Sequence, residues 1–346
     1  MHIPAILPFP SCIYLPAFAG GALACWLTLP FWRRFCQRFG LVDDPGHRKI
    51  HAEPIPLAGG LAVMSGLSLP LLAGFIGLVI AGGLGGWTAV APGSLAHPTV
   101  LQILQYGLGR RAVPLLGIVA GALAILLVGL ADDKWELAPG AKFLAQLVVA
   151  LGVAASGVRM PTLFVPNVLF QYCVTALWIL TVVNAFNFMD NMNGLCAGLG
   201  LIGAGYFGLF SGLAGHYLVA GTAWLVAGAL AGFLPFNYPK ASVFLGDSGS
   251  HLVGYFLAVL GILPHFYTAK HPRVLAVLTP LVVLAVPLGD LVWVVWLRWR
   301  RKAPFYVGDT NHLSHRLVRS GLSPARAVGL IWILGAVVGA LGFVLQ

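Results

Sequence analysis

Residues 168–194 read VLFQYCVTALWILTVVNAFNFMDNMNG. The first sixteen suit a bilayer interior. Asn184 to Asn193 then crowd four asparagines and one aspartate into ten residues. In hydrocarbon every such group needs a partner, so this junction marks where a spanning helix leaves the membrane and polar chemistry begins. On a helix Asn184, Asn187 and Asn191 share one face, with Asp190 about 60° to its side. Gly194 then lets the chain turn. A solvated helix end would account for the polarity alone. A hydrogen-bonding and metal-binding face at the membrane surface would account for it too, and the other loops decide between them.

Hydrophobic residues make up 59% of the 346-residue chain and charged residues 9%, with a mean hydropathy of +0.91. A soluble domain carries about 25% charge, so this composition excludes one and describes a membrane protein. The expected fold is all-α: a polytopic membrane protein with about ten transmembrane helices and cytoplasmic active-site loops. Residues 1–346 read as a single domain. No Lys or Arg precedes Arg33, so a cleavable signal pattern is missing and the first apolar stretch is expected to stay as an anchor. The five cysteines show no CxxC and no metal spacing.

Apolar windows predict spans at about 13–32, 57–81, 113–131, 143–158, 168–187, 195–213, 216–234, 251–267, 274–297 and 327–345. The division between the sixth and seventh rests on Gly215-His216 alone. With the N-terminus outside, fifteen of the twenty Lys and Arg fall in inside loops, as the positive-inside rule requires. Acidic residues do not set topology, so their placement is independent. Nine of the ten lie in the same inside loops, Asp290 lies within the ninth span, and none lies outside. One face therefore gathers carboxylates and bases, a combination suited to an anion and a cation.

The first inside loop carries Arg48, Lys49 and His51 among prolines and glycines, phosphate donors in a rigid turn. The second contains Asp132-Asp133, adjacent carboxylates that repel unless a cation lies near them. Lys142 and Gln146 follow, one turn apart. Another loop reads FLGDSGSH over 244–251, a Gly-flanked Asp247 open to close approach by a metal and a phosphate. In the last, His312, His315 and Arg316 are spaced to share a helical face as an anion-binding cluster. Asp290, two turns inside its span, is expected to be paired with a neighbour. Carboxylates with basic donors suit a Mg²⁺-bound diphosphate at a membrane surface, where one reactant is a phosphorylated lipid.

Five motifs in order give this pattern a family likeness: DDPGHRKIHAEPIPLAGG (43–60), ADD (131–133), NAFNFMDNMNGL (184–195), FLGDSGS (244–250) and DTNHLSHRL (309–317). Together they resemble the polyprenyl-phosphate N-acetylhexosamine-1-phosphate transferases of glycosyltransferase family 4. The resemblance implies a bacterial plasma-membrane enzyme of cell-envelope glycan synthesis, with its active site on the cytoplasmic face. It implies a UDP-sugar donor, a polyprenyl (undecaprenyl) phosphate acceptor, UMP release, and no nucleic-acid partner. A homodimer is compatible with it.

It also implies roles for residues. Mg²⁺, with Mn²⁺ as the natural substitute, would bind Asp247 with Asp190 beside it. Asp132 and Asp133 would be the catalytic pair that activates the lipid phosphate. Arg48, Lys49, His51, Lys142, Asn184, Asn187, Asn193, His312, His315 and Arg316 would bind substrate. A phosphate monoester is already largely dianionic near neutral pH, so the pair could instead position the nucleophile or metal, and a covalent aspartyl-phosphate route is a further alternative. Two departures stand out. Asn193 occupies a position where relatives often carry a second Asp, which puts the donor's identity in question. HLSH replaces adjacent histidines. A transporter is the competing class, but it would place its charges at the midplane and often repeat its halves.

Overall fold

The computed structural model describes residues 11–44, 53–82, 109–160, 167–264, 274–304 and 310–346. Long helices follow the apolar segments: α1 (Ser11–Phe39), α2 (Gly59–Gly82), α3 (Ala112–Trp135), α4 (Pro139–Ala155), α5 (Val168–Met189), α6 (Leu195–Leu213), α7 (Tyr217–Asn237) and α8 (Gly246–Ile262). A 3₁₀ turn at Val274–Leu278 leads into α9 (Thr279–Val283) and α10 (Ala285–Arg300). Short α11 (Leu313–Arg319), α12 (Pro324–Ala340) and α13 (Gly342–Leu345) complete the chain. The protein is an all-α polytopic membrane protein.

Every one of the ten expected segments is helical, but they do not all span alike. Seven described helices are long and apolar enough to cross a membrane, or eight if the pair Leu275–Val283 and Ala285–Arg300, bent by 75°, is one span. The other two, α4 and α8, have 17 residues each. That is about 25 Å of helix against about 30 Å of hydrocarbon. Among the described residues, length and composition therefore support seven or eight spans, and the expected count of ten is not confirmed. The division at Gly215 holds: the glycine has φ +77° and joins α6 to α7.

α8 is the centre of the bundle. It packs against α3, α5, α2 and α6, and every residue in it except Asp247 is buried. Outward faces of other helices carry exposed Leu116, Leu127, Val148 and Val337, the surface a lipid solvent calls for. Two helix boundaries differ from the sequence expectation, and both matter for the site. α8 begins at Gly246, not near 251, so Asp247 stands in its first turn. α3 continues to Trp135, so Asp132 and Asp133 lie on its last turn and not in a loop.

The start of α8 is wedged between neighbours. Strands β1 (Val42–Asp43) and β2 (Ile55–Pro56) pair antiparallel at the foot of α1 and α2. From there Pro56 accepts the Phe244 N–H at 3.0 Å, while the Gly59 and Gly60 N–H groups donate to Phe244 and Leu245. On the opposite side α3 comes so close at Gly129 that a Cβ there would lie 2.3 Å from Ser248 Cα. Backbone cannot yield as a side-chain tip can. Gly129→Ala is therefore expected to cost about 1–3 kcal/mol of overpacking. A thermal-unfolding midpoint in detergent equal to that of the wild type would refute this contact.

Candidate active site

Asp132, Lys142, Asn187 and Asp247, which come from four helices, meet at one end of the bundle. Lys142 bridges two carboxylates, its Nζ 2.5 Å from Asp132 Oδ2 and 2.8 Å from Asp247 Oδ2. Asn187 Nδ2 donates to the other oxygen of Asp247 at 2.7 Å and to Ser250 Oγ at 3.1 Å. Asp132, 9% exposed, also accepts the Leu137 N–H through Oδ1 at 2.9 Å. The ammonium holds two carboxylates together that would otherwise repel.

Asp133 faces another way. Its Oδ1 accepts the Asp247 N–H at 2.7 Å and its Oδ2 the Ser248 N–H at 3.0 Å. A carboxylate from α3 thus caps the first turn of α8, satisfying orphan donors and meeting the positive end of the helix dipole. Gly246 precedes this turn with φ +73°, and a Cβ on it would lie 2.9 Å from Asp133 Oδ2. The two neighbouring aspartates therefore have separate tasks in this geometry: Asp132 pairs with a lysine, and Asp133 seats the helix that carries Asp247.

One helical turn deeper lies a second polar layer. Asn184 Nδ2 donates to Gln146 Oε1 and to the Leu180 carbonyl, each at 2.8 Å. Gln146 Nε2 lies 3.3 Å from His251 Nε2. Gln146 and His251 are 1% and 0% exposed.

Asp190 ends α5 between this cluster and a second one. Among the described residues, no hydrogen bond or ion pair holds its carboxylate. Burial, then the negative charges of Asp247 and Asp133, push its carboxyl well above the usual carboxylate range. A cation would relieve that repulsion. No three His, Cys, Asp or Glu gather into a metal group among the described residues. Magnesium does not need such a cage: it takes one or two carboxylates and completes its shell with water and substrate phosphate. The hard oxygens of Asp247 and unpartnered Asp190 fit that ion.

The second cluster joins the polar end of α5 to the final loop. Buried Asp290 accepts from His312 Nδ1 at 2.6 Å and from the Leu313 N–H at 2.7 Å. That fixes the ring and leaves Nε2 as its outward nitrogen. Ser314 Oγ donates to Asn191 Oδ1 at 2.6 Å. The Phe188 ring stands edge-on to His312 at 5.5 Å, with the Arg298 guanidinium 5.0 Å from its centroid. Asp290 is paired, as expected. His312 stands at the N-cap of α11, which starts at Leu313, and its carbonyl accepts the Arg316 N–H at 3.0 Å, so His312 flanks the helix that carries His315 and Arg316. Asp290 captures both the His312 ring and the first helical N–H, which sets that boundary. His315 lies 6.2 Å from His312 ring to ring, and exposed Arg316 stacks over Trp293 at 5.1 Å.

The structure thus brings Asp132, Asp133, Lys142, Asn184, Asn187 and Asp247 together, with Asp190 beside them. Asn193 turns away, donating to the Pro239 carbonyl at 3.3 Å. Gly194 makes the expected turn at φ +78°. Arg48, Lys49 and His51 lie outside the described residues. His251 was not among the sequence candidates. Its signal is the i, i+4 spacing from Asp247, which becomes visible only once the helix start is placed at Gly246.

The fold and the cluster define a helical membrane protein that gathers carboxylates and a lysine at one end of its bundle. The model of glycosyl transferase family 4 matches residues 115–265. A Bacillus subtilis protein named "Probable undecaprenyl-phosphate N-acetylglucosaminyl 1-phosphate transferase" is 30% identical over 337 residues, covering 95% of this chain and 84% of the relative. The decaprenyl-phosphate N-acetylglucosaminephosphotransferase of Mycobacterium tuberculosis is 33% identical over 332 residues, covering 87% and 74%. The undecaprenyl-phosphate alpha-N-acetylglucosaminyl 1-phosphate transferase of Escherichia coli K12 is 26% identical over 330 residues, covering 91% and 79%. The chain belongs to glycosyl transferase family 4 and is a phosphoglycosyltransferase.

Proposed function

We propose that the protein transfers a sugar-1-phosphate, N-acetylhexosamine-1-phosphate, from a UDP-sugar to a polyprenyl phosphate on the cytoplasmic face of a bacterial plasma membrane. The products are a polyprenyl-diphosphate-sugar and UMP. The observation that carries this reading is Lys142 held between Asp132 and Asp247, beside the unpartnered Asp190. The names of the relatives support the two substrates.

In this reading an oxygen of the lipid phosphate attacks the sugar-linked phosphorus, and the bond from that phosphorus to the UMP oxygen breaks. Mg²⁺ held by Asp247 and Asp190 would neutralise diphosphate charge. Lys142 has three donors and spends two on carboxylates, leaving one for a phosphate oxygen. Asp132 holds Lys142, and Asp133 holds the backbone N–H groups of Asp247 and Ser248, so in this reading both act by positioning Lys142 and Asp247. The attacking phosphate monoester needs no strong base, since its second pKa is about 6. Direct displacement at phosphorus is the route this arrangement favours, with the lipid phosphate itself as the nucleophile. His312, oriented by Asp290, and Arg316 and His315 supply phosphate donors, as do Arg48, Lys49 and His51 from the first loop.

The test is incubation of the purified protein with Mg²⁺, undecaprenyl phosphate and a panel of UDP-sugars, measuring UMP release. Release with a UDP-N-acetylhexosamine is expected. Silence with every donor would sink the reading.

A further inference from the structure

The buried layer beneath Lys142 and Asp247 has a polarity that can be read bond by bond. The Leu180 carbonyl only accepts, so Asn184 turns its Nδ2 toward it and shares that amide with Gln146 Oε1. Gln146 must then present Nε2 to the histidine, 3.3 Å away. His251 Nε2 therefore accepts, and the ring proton sits on Nδ1. Among the described residues Nδ1 has no partner. Asn184 thus sets the orientation of Gln146, and Gln146 sets the tautomer of His251, at the expense of one unpaired buried N–H.

The spacing ties this layer to the site. Gln146 is one turn beyond Lys142 on α4, Asn184 one turn before Asn187 on α5, and His251 one turn beyond Asp247 on α8. The same three helices thus make two stacked rungs, Lys142–Asp247–Asn187 above and Gln146–His251 with Gln146–Asn184 below. We propose that His251 is a positioning residue for the reaction: through Gln146 it locks α4 to α5 and α8, fixing where Lys142 and Asp247 meet the diphosphate. It touches no substrate, being fully buried. The inference rests on the transferase reading.

The test compares UMP release by full-length wild type, His251→Leu, His251→Gln and Gln146→Leu in detergent, using the UDP-sugar that the wild type accepts. Loss of the acceptor at position 251 lets Lys142 drift, and misplacement by about 1 Å costs up to about 100-fold. His251→Leu is expected to lower kcat about 10- to 100-fold while the donor KM stays within about threefold. His251→Gln, whose Oε1 can replace the Nε2 lone pair, is expected to recover most of kcat. Full turnover by His251→Leu overturns the inference, as does a folded His251→Gln no better than His251→Leu. If His251→Leu fails to fold, Gln146→Leu decides: a fall in kcat supports the lock and wild-type kcat overturns it. A silent wild type overturns the transferase reading together with this inference, whereas an active wild type with unaffected variants overturns the inference alone.

Discussion

Asp247→Asn is expected to remove Mg²⁺-dependent turnover, by about 10²- to 10³-fold or more, in a protein that remains folded. Asp247 is the carboxylate on which the site converges. One oxygen takes Asn187 and the other takes Lys142. An amide keeps the size but carries one acceptor, so a donor must face either Asn187 or Lys142. It also withdraws the negative charge that a magnesium ion requires. The fold should survive, because Asp133 grips the backbone of residue 247 and not its side chain. UMP release across a Mg²⁺ titration checks this. Wild-type rates at every magnesium concentration would refute the assignment of Asp247.

Asp133→Ala is expected to act through stability first. It strips the acceptor from two buried backbone donors, those of Asp247 and Ser248. Each hydrogen bond to a charged group contributes about 1.5–3 kcal/mol, so removing both should cost about 3 kcal/mol or more. Activity should fall with it, since the first turn of α8 carries Asp247. Asp132→Ala removes one backbone contact and one lysine partner from the same helix end, and should lower the unfolding midpoint less. Thermal unfolding of the two variants side by side separates the roles. Equal midpoints would show that the adjacent aspartates do not divide their work as their geometry indicates.

Much of this was legible from residues alone. The apolar windows located all ten helical segments, because a bilayer leaves the backbone no other way to satisfy itself. The polar run from Asn184 to Asn193 foretold a hydrogen-bonding face: Asn184 and Asn187 serve the two rungs, and Phe188 and Asn191 serve the His312 cluster. What could not be read was where helices begin and end. Hydropathy sees Gly246 to Ser250 as a polar loop. In the bundle, Asp133 and the close approach of Gly129 make it a buried helical turn. The same limit hid His251, since a lone histidine beside an apolar run carries no sign of the Gln146 four helices earlier in the chain. The α11 boundary was missed for a parallel reason. Asp290 lies more than twenty residues before His312, and only their contact shows which N–H starts the helix.

The Asp133 cap has one more consequence. Many proteins that handle phosphate place it against the bare amino end of a helix, where backbone N–H groups and the dipole come as a fixed endowment. Here that endowment is spent inside the protein, on a carboxylate of the protein itself. Charge balance for an incoming diphosphate therefore falls to side chains and to a cation, each of which a single codon change can alter without disturbing the backbone. Substrate preference in such a pocket is open to adjustment residue by residue, while its scaffold stays bolted shut.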